Sequence, residues 1–292
     1  MSISPPHGPW WLPVWAEFAS GSSLGIDAPR STIGAMIIAA HGTTYLRSVD
    51  DIRREVERLT GVVVAAAASL PNDPGQATES PIAFWNRVCT YGIGLVGDDQ
   101  TYHDPRNSFL PEIRRRKTGL PIGLALVWLH AAHVLAVDAF GVGMPGHFLV
   151  GARHGQHDPV FIDCFNRGTI LDAAGCQVLY ERVLGGRPHA GFHPSFLAPV
   201  PDESMFVRMT ANLKQHAARR RDLSTLADLA RLRWFLPLPS LEEDRELVRL
   251  CVALGSAGEA QHWLAEVEAR YGTAYPDTQL AADRAAVRAA FN

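Results

Sequence analysis

The stretch from Tyr102 to Phe165 decides the fold, and it begins with Tyr102-His103-Asp104-Pro105-Arg106-Asn107-Ser108-Phe109-Leu110. Three further segments follow, namely Gly119-Leu120-Pro121-Ile122-Gly123-Leu124, Pro145-Gly146-His147-Phe148-Leu149-Val150 and Phe161-Ile162-Asp163-Cys164-Phe165. Together they describe a turn-rich loop that leads into an apolar helix and then into two short strands. One strand carries a histidine and the other an aspartate, which is an arrangement typical of a functional site. We interpret the rest of the chain as its support.

The helix and the two strands are predicted from local pattern. Proline at position 121 favours a helix start, because its missing N–H costs nothing at the first helical position. The residues that follow leave little polar face, so this helix is expected to be buried nearly all round. Residues 147–153 and 160–165 predict two strands joined by a turn, which makes a hairpin. Since residues near the open end of a hairpin meet across the ladder, His147 and Asp163 are expected to lie close together.

The composition is that of an ordinary globular protein. Of the 292 residues, 47% are hydrophobic and 20% are charged, and the net charge is -3. The chain is long enough for one large domain or two ordinary ones. A charge this small gives no reason to expect nucleic acid or an acidic membrane as the main partner.

Targeting and redox signals point to the cytoplasm. The N-terminus lacks a basic region followed by an apolar one, so no secretory signal is predicted. The longest apolar runs are too short or too interrupted to span a bilayer. The four cysteines are widely spaced and form no Cys-x-x-Cys pair, which predicts neither a disulfide framework nor a cysteine zinc site; they are Cys89, Cys164, Cys176 and Cys251.

The chain divides into three predicted parts. Residues 1–32 are rich in proline, glycine, serine and tryptophan, and we expect an irregular arm that packs onto the body because its tryptophans are too many for a disordered tail. Residues 33–200 contain the central stretch and predict an α+β domain, with earlier helices at 33–40, 49–68 and 81–91. Residues 201–292 predict five successive helices, at 203–218, 223–235, 241–254, 259–271 and 277–291.

These motifs resemble those of the SirB-type transglutaminase-like proteins of bacteria. The resemblance is carried by Tyr102-x-Asp104-Pro105-x-Asn107-Ser108-x-Leu110, Arg116-x-x-Gly119-x-Pro121-Ile122, Pro145-Gly146-His147-Phe148-Leu149-Val150 and Phe161-Ile162-Asp163. It continues in Arg208-Met209-x-x-Asn212-Leu213-Lys214, which is similar to the family's link into tetratricopeptide-like helices. It implies a papain/transglutaminase-like α+β core in residues 33–200 and an all-α, tetratricopeptide-like domain in residues 201–292.

The resemblance also implies a set of catalytic positions. Active members of that superfamily use a Cys–His–Asp triad, in which a thiolate at a helix N-terminus attacks and the acid orients the imidazole. By resemblance, His147 is the triad histidine and Asp163 is the acid. The nucleophile would lie in the first turn of the helix opened by Pro121, where the sequence reads Ile122-Gly123-Leu124 and has no cysteine.

Two other residues are candidate nucleophiles. Ser108 could attack with His147 as its base, but it is equally suited to hydrogen-bond the local backbone of a loop. Cys164 follows Asp163 directly, and neighbouring strand residues point to opposite faces. If Asp163 faces His147, then Cys164 faces away, so a buried core thiol is expected there.

Substrate contacts are assigned to Asn107, Tyr102, Gly123 and Arg116, with the alternative that Arg116 only forms its turn. Two histidine pairs, His130 with His133 and His154 with His157, have a sequence spacing that would allow both residues to bind one metal ion. No acidic or thiol residue clearly completes either site, so no metal and no cofactor is predicted. The basic runs at 114–117 and 219–221 could bind phosphate or an acidic partner, or they could be solvated surface.

The sequence leaves three functions open. The first is an enzyme acting on an amide or ester bond, with His147 and Asp163 as an acid–base pair and with Ser108 or an activated water as the nucleophile. The second is a non-catalytic protein whose cleft holds a peptide or a small molecule and whose C-terminal helices recruit a protein partner. A third, weaker possibility is a specialised biosynthetic role, suggested only by the N-terminal arm.

Overall fold

The computed structural model describes residues 8–70, 79–155, 157–185 and 191–291. The chain forms two compact units, one of Gly25–Met209 and one of Met1–Leu24 with Thr210–Asn292. The first unit combines helices with a sheet, while the described part of the second contains only helices, so the α+β class is confirmed. The predicted boundaries at 32/33 and 200/201 stay predictions. No helix of the described ranges is long and apolar enough to cross a bilayer.

The first unit opens with three helices. They are α2 (Arg30–Ala40), α3 (Val49–Ser69) and α4 (Pro81–Arg87), and α4 runs on into a π-helical turn at Val88–Ile93. Ser48 caps α3 by accepting a hydrogen bond from the backbone N–H of Asp51, as its position before the helix predicts. The three helical segments predicted in this region are confirmed, with only the last turn of the third differing in type.

The central helix is α6 (Pro121–Val134), and every residue from Pro121 to Ala132 is buried. It contacts α2, α3 and the short helix α5 (Leu110–Arg116), as well as strands of the sheet. Its burial on all sides confirms the prediction from the apolar sequence. Ahead of it lie a 3-10 turn at Pro105–Ser108 and a parallel pair of two-residue strands, β1 (Val96–Gly97) and β2 (Thr118–Gly119).

A four-stranded antiparallel sheet completes the first unit. Its strands follow one another in chain order and are β3 (Ala139–Val142), β4 (Leu149–Ala152), β5 (Val160–Asp163) and β6 (Thr169–Leu171). The predicted hairpin is formed by β4 and β5 and is confirmed. Helix α7 (Ala173–Val183) packs on β5 and β6, and a hydrophobic core forms there from Val142, Met144, Leu149, Phe161, Cys176, Leu179 and Tyr180.

The second unit is built from α1 and the C-terminal helices, and its division from the first unit falls within α8. The helices are α1 (Trp11–Ala19), α8 (Asp202–Arg220), α9 (Leu223–Trp234), α10 (Leu241–Ala253), α11 (Ala257–Tyr271) and α12 (Asp277–Ala289). The five predicted C-terminal helices are confirmed to within two residues at each end.

The prediction of an irregular arm is wrong for residues 11–19. Trp11, Trp15 and Phe18 recur at helical spacing and are buried together with Leu12. The indole N–H of Trp15 donates to the carbonyl oxygen of Leu232 at 2.8 Å, which fixes α1 against α9. Pro13 lies in the first turn of this helix, where proline is tolerated. The expected packing of the tryptophans is therefore achieved by a helix rather than by an extended segment.

The first turn of α6 approaches α5 so closely that no side chain fits at Gly123. A Cβ atom placed there would lie 2.4 Å from Cδ1 of Ile113 and 3.0 Å from the carbonyl oxygen of Asn107. The backbone of Asn107 cannot retreat freely, because its carbonyl oxygen also accepts the N–H of Leu120 at 3.0 Å. Glycine at position 123 is thus required by packing, and the first turn of the helix cannot present a cysteine at this point.

This packing predicts opposite effects for two glycine-to-alanine substitutions. We expect Gly123→Ala to lower the free energy of unfolding by about 1–3 kcal/mol, since the added methyl group overpacks the contact between α5 and α6. The matched control is Gly61→Ala in the exposed face of α3, where an added Cβ meets nothing within 4 Å. That control should gain about 0.5–1 kcal/mol from helix propensity. Chemical denaturation of both variants measures the difference, and a Gly123→Ala protein as stable as wild type would contradict the account.

Candidate active site

His147 and Asp163 form a buried hydrogen-bonded pair at the open end of the hairpin. Val150 pairs with Ile162 in the ladder, so β5 ends at Asp163 beside the segment that leads into β4. The Nε2 atom of His147 lies 2.8 Å from Oδ1 of Asp163. The two residues are only 6% and 1% exposed, respectively. The proximity predicted from the sequence is therefore confirmed.

A tight turn aims the imidazole at the carboxylate. The backbone N–H of His147 donates to the carbonyl oxygen of Met144 at 3.1 Å, and Gly146 adopts a φ of +77°, which L side chains rarely adopt. A Cβ on Gly146 would also lie 2.8 Å from Cγ1 of Val183 in α7. The Pro-Gly-His sequence is thus explained by the turn, since glycine is needed immediately before the histidine.

Asn166 completes the environment of the carboxylate. Its backbone N–H donates to Oδ1 of Asp163 at 3.2 Å, and its side-chain amide donates to Oδ2. Burial by itself raises the pKa of Asp163, but the hydrogen bonds from His147 and Asn166 outweigh it and hold the pKa below its ordinary value. Asp163 is therefore ionised at neutral pH and can only accept from His147.

An ionised Asp163 fixes the tautomer of the neutral imidazole. The proton must sit on Nε2 of His147, because that nitrogen faces an acceptor. The other ring nitrogen, Nδ1, then carries a lone pair, and within the described ranges it makes no hydrogen bond. An oriented imidazole with one nitrogen held by an acid and the other free to accept is the arrangement of a general base.

An aromatic row connects the buried imidazole with the protein surface. The ring of His147 meets the ring of Phe165 edge to face at 6.2 Å, and Phe165 meets Tyr102 at 6.1 Å between centroids. The carbonyl oxygen of Phe165 accepts the N–H of Gly97 at 3.1 Å, which holds the loop of Tyr102 next to the site. Tyr102 is 42% exposed. Its assignment as a substrate contact stays a prediction, and its position beside Phe165 agrees with it.

Asn107 and Arg116 are joined to each other in a saturated network. The amide nitrogen of Asn107 donates to Oδ2 of Asp98 at 3.1 Å and to the carbonyl oxygen of Thr101 at 2.8 Å. Its amide oxygen accepts from Nη1 of Arg116 at 2.9 Å, and Arg116 also pairs with Asp98 at 3.4 Å. Both side chains hold the loop before α5 in place, which is the turn-forming alternative for Arg116. Their roles as substrate contacts stay predictions.

Most of the basic run at 114–117 is used by the fold. Arg114 pairs with the buried Glu55 at 3.0 Å, and Arg115 pairs with Glu112. With Arg116 engaged as described, these three guanidinium groups already have acidic partners. The run therefore does not present three free cations to a phosphate or an acidic partner.

Ser108 is close in sequence to this network but is not paired with His147. Its hydroxyl oxygen is buried and has no hydrogen-bond partner in the described part of the chain. Gly123, which was predicted as a substrate contact, is buried where α6 meets Ile113 of α5, and that role stays a prediction. The catalytic assignment of Ser108 stays a prediction, and among the described residues no base is hydrogen-bonded to its hydroxyl group.

All four cysteines are free and buried. Burial raises the pKa of Cys89 and of Cys164 well above the ordinary value, and it raises the pKa of Cys176 and of Cys251 to about 12. Cys164 turns its sulfur toward the carbonyl oxygen of Ile162 at 3.8 Å, inside the core. The prediction of a buried core thiol is confirmed, and a reactive thiolate at neutral pH is not expected at any of the four positions.

The histidine pairs serve packing and surface contacts. His130 is fully buried and its Nε2 lies 2.9 Å from Oγ1 of Thr60, while burial and the nearby His133 lower the pKa of His130 to about 4. His133 is half exposed and faces Asp27 at 3.5 Å. His154 and His157 stack on each other at 6.3 Å. Over residues 8–70, 79–155, 157–185 and 191–291, no three histidine, cysteine, aspartate or glutamate residues gather as metal ligands.

A family model described as the transglutaminase-like superfamily matches residues 43–211. The chain belongs to the transglutaminase-like superfamily. The matched residues include the helix α6, the hairpin, His147 and Asp163. The match covers more than half of the chain, so the buried pair lies within the transglutaminase-like domain.

Several relatives have a similar sequence. A UPF0162 protein of Xylella fastidiosa (strain 9a5c) is 34% identical over 203 residues, which are 66% of this chain and 67% of that protein. A UPF0162 protein of Pseudomonas aeruginosa is 28% identical over 218 residues, 72% of this chain and 73% of that protein. F-box only protein 21 of Homo sapiens is 31% identical over 101 residues, 32% of this chain and 16% of that protein. No solved structure shows a significant match.

Asn166 is a member of the site that was not predicted from the sequence. The chain turns back immediately after β5, and Gly168 closes that turn by donating its N–H to the carbonyl oxygen of Asp163 at 3.0 Å. An asparagine three residues after an acid, in a turn ended by glycine, hydrogen-bonds readily to that acid. The run Asp163-Cys164-Phe165-Asn166, followed by Gly168, has this spacing and could have predicted the contact.

The burial of the thiols predicts slow alkylation of the native protein. With iodoacetamide at neutral pH, none of the four cysteines should be labelled on a timescale on which an exposed thiol reacts fully, and all four should be labelled after denaturation. Peptide mass spectrometry reads each site. The matched control is Val178→Cys, since Val178 is 66% exposed on α7 and a thiol there should react quickly. Fast labelling of Cys164 that slows in His147→Ala would contradict the account and reveal a relocated thiol–imidazole pair.

Proposed function

We propose that the protein hydrolyses an ester or amide bond, with His147 as general base and Asp163 as its orienting acid. The observation that supports this most strongly is the 2.8 Å hydrogen bond between Nε2 of His147 and Oδ1 of Asp163, which leaves Nδ1 of the same ring free to accept a proton. The ring lies at the inner end of an aromatic row that reaches the surface at Tyr102, so a small acyl group can be guided to it.

The proposed reaction uses water as the nucleophile. Nδ1 of His147 takes one proton from a water molecule while the water oxygen bonds to the carbonyl carbon of the substrate, which gives a tetrahedral intermediate. The ionised Asp163 stabilises the imidazolium formed in this step. His147 then returns the proton to the leaving oxygen or nitrogen as the bond to carbon breaks. The products are a carboxylic acid and an alcohol or amine, and the imidazole is neutral again.

Water is favoured over a protein nucleophile by three observations. No thiol is placed to form a thiolate, because all four cysteines are buried with a raised pKa. The hydroxyl of Ser108 lacks a hydrogen-bonded base in the described structure. Position 123, in the first turn of α6, has no room for a side chain. With these groups set aside, a water molecule activated by His147 is the nucleophile that we propose.

The finer family assignment is part of this proposal. The motifs around His147 and Asp163 support membership of the SirB-type group within the superfamily. In the second unit, α9 packs on α10, α10 on α11 and α11 on α12, and this succession of neighbouring helices supports a tetratricopeptide-like arrangement. Four free thiols support a reducing, cytoplasmic location.

A second candidate function is the capture of a protein partner by the C-terminal helices. A groove between α11 and α12 is lined by Leu264, Val287 and Phe291, and the ion pair of Glu268 with Arg284 lies in its wall. Phe291 is 58% exposed there. An apolar groove beside paired charges suits an amphipathic helix of a partner. This function does not require His147 to be chemically active.

The test is hydrolysis of p-nitrophenyl acetate, an activated neutral ester. We expect His147→Gln to reduce the enzyme-dependent kcat/KM to background, since the base is removed while a similar volume remains. Asp163→Asn should reduce it by about 10²-fold or more, because the tautomer and orientation of His147 are no longer fixed. Initial rates for the purified full-length chains give the comparison.

The matched control for these variants is His133→Gln. His133 is on α6 but half exposed, and it lies outside the proposed site. This variant should hydrolyse the ester at the wild-type rate, with an unchanged melting temperature. A His147→Gln protein that hydrolyses the ester as fast as wild type would exclude the proposed mechanism. In that case the binding function of the C-terminal helices would be the better account.

A further inference from the structure

Arg208 places a guanidinium group next to the turn that carries His147. It lies in the part of α8 that belongs to the first unit, and its Nη1 atom donates to the carbonyl oxygen of Met144 at 3.0 Å. The same carbonyl oxygen accepts the backbone N–H of His147 at 3.1 Å. The guanidinium is thus separated from the backbone of His147 by about 6 Å at most, the reach of two hydrogen bonds that share one acceptor.

Two aromatic residues interact with this guanidinium. Its central carbon lies 5.6 Å from the centroid of Phe148. Burial lowers the pKa of Arg208, and the phenol of Tyr102 is close enough to oppose that shift. Tyr102 also contacts Phe165, which contacts the ring of His147. Arg208 and His147 therefore both neighbour this aromatic row, Arg208 through its electrostatic interaction with Tyr102 and His147 through its contact with Phe165.

Arg208 has no acidic partner among the described residues, although it is partly buried. Its one hydrogen bond uses one of the five donors of a guanidinium. Other poorly exposed arginines are paired with carboxylates, as Arg114 is with Glu55 at 3.0 Å and Arg231 is with Glu259 at 2.7 Å. An unpaired cation in such a place is unfavourable and is stabilised when an anion binds.

We infer that Arg208 binds a carboxylate carried by the acyl part of the substrate, beside the carbonyl carbon that is attacked by the water activated by His147. The planar guanidinium matches a carboxylate with two parallel hydrogen bonds, which a single ammonium or a neutral donor cannot reproduce. The substrate class is then an ester or amide whose acyl group also bears a free carboxylate, such as a monoester or monoamide of a dicarboxylic acid. This inference rests on the proposed hydrolytic function.

The experiment compares two esters, mono-p-nitrophenyl glutarate and p-nitrophenyl acetate, and uses the ratio of their kcat/KM values. Wild type should prefer the glutarate ester, and Arg208→Gln should lower the ratio by about 30-fold or more, because a partly buried charge pair is lost. Arg208→Lys should give an intermediate ratio, since it keeps the positive charge but cannot donate two parallel hydrogen bonds to a carboxylate. A purely structural role at Met144 would reduce both rates together and leave the ratio unchanged, which would overturn the inference.

The matched control is Arg153→Gln. Arg153 stacks on Phe140 at 4.1 Å as Arg208 stacks on Phe148, and it faces the exposed Asp138 at 3.7 Å. This variant should leave the ratio at the wild-type value. If Arg208→Gln fails to fold, the wild-type ratio and Arg208→Lys still decide, and a wild type without preference for the glutarate ester overturns the inference.

Calorimetry with glutarate separates this inference from the proposed function. Glutarate should bind to wild type and to His147→Gln, and it should bind at least about 30-fold more weakly to Arg208→Gln. If these binding results are obtained while no ester is hydrolysed, the carboxylate site is supported and the hydrolytic function fails. If glutarate binds equally to wild type and to Arg208→Gln, or to neither, the carboxylate site is excluded whatever the hydrolysis assay shows.

Discussion

The buried hydrogen bond between His147 and Asp163 is the constraint on which the site depends. It joins two segments that the chain brings together only through the register of one hairpin, at a place where both side chains are shielded from water. Neither partner is tolerable alone there, since a buried carboxylate without donors and a buried imidazole without an acceptor both cost free energy. The tight turn at Gly146, the amide of Asn166 and the edge of Phe165 each fix one side of this pair.

The fold that holds this pair has a central helix whose first turn carries no thiol. In the transglutaminase-like superfamily, active members use a thiol at the N-terminus of the central helix, but here Gly123 is pressed against α5 and the cysteines are distributed through the core. The hydrogen-bonded histidine and aspartate are therefore present without a thiol in the first turn of α6. The proposed hydrolysis by an activated water needs only this pair, and Arg208, which has no acidic partner among the described residues, is the group that we propose selects the substrate.

Local signals predicted much of this structure. Short sequence patterns predict the helix start at Pro121, the cap at Ser48 and the hairpin. The helical arm was missed because Pro13 and the neighbouring glycines suggested irregular structure, although proline is allowed in a first helical turn. The short strands β3 and β6 give too little alternation to be recognised. Contacts between distant residues, such as Arg208 with Met144, depend on tertiary packing that no local pattern encodes.

The tautomer of His147 tests the central claim most directly. In a protein with ¹⁵N-labelled histidines, the His147 signals are identified by their loss in His147→Gln and are recorded where the ring is neutral. The account predicts a proton on Nε2, protected from exchange by Asp163, with Nδ1 unprotonated. Asp163→Asn should shift this population toward a mixture of tautomers. A proton on Nδ1, or the rapidly exchanging mixture of an exposed histidine in the wild-type protein, would contradict the account.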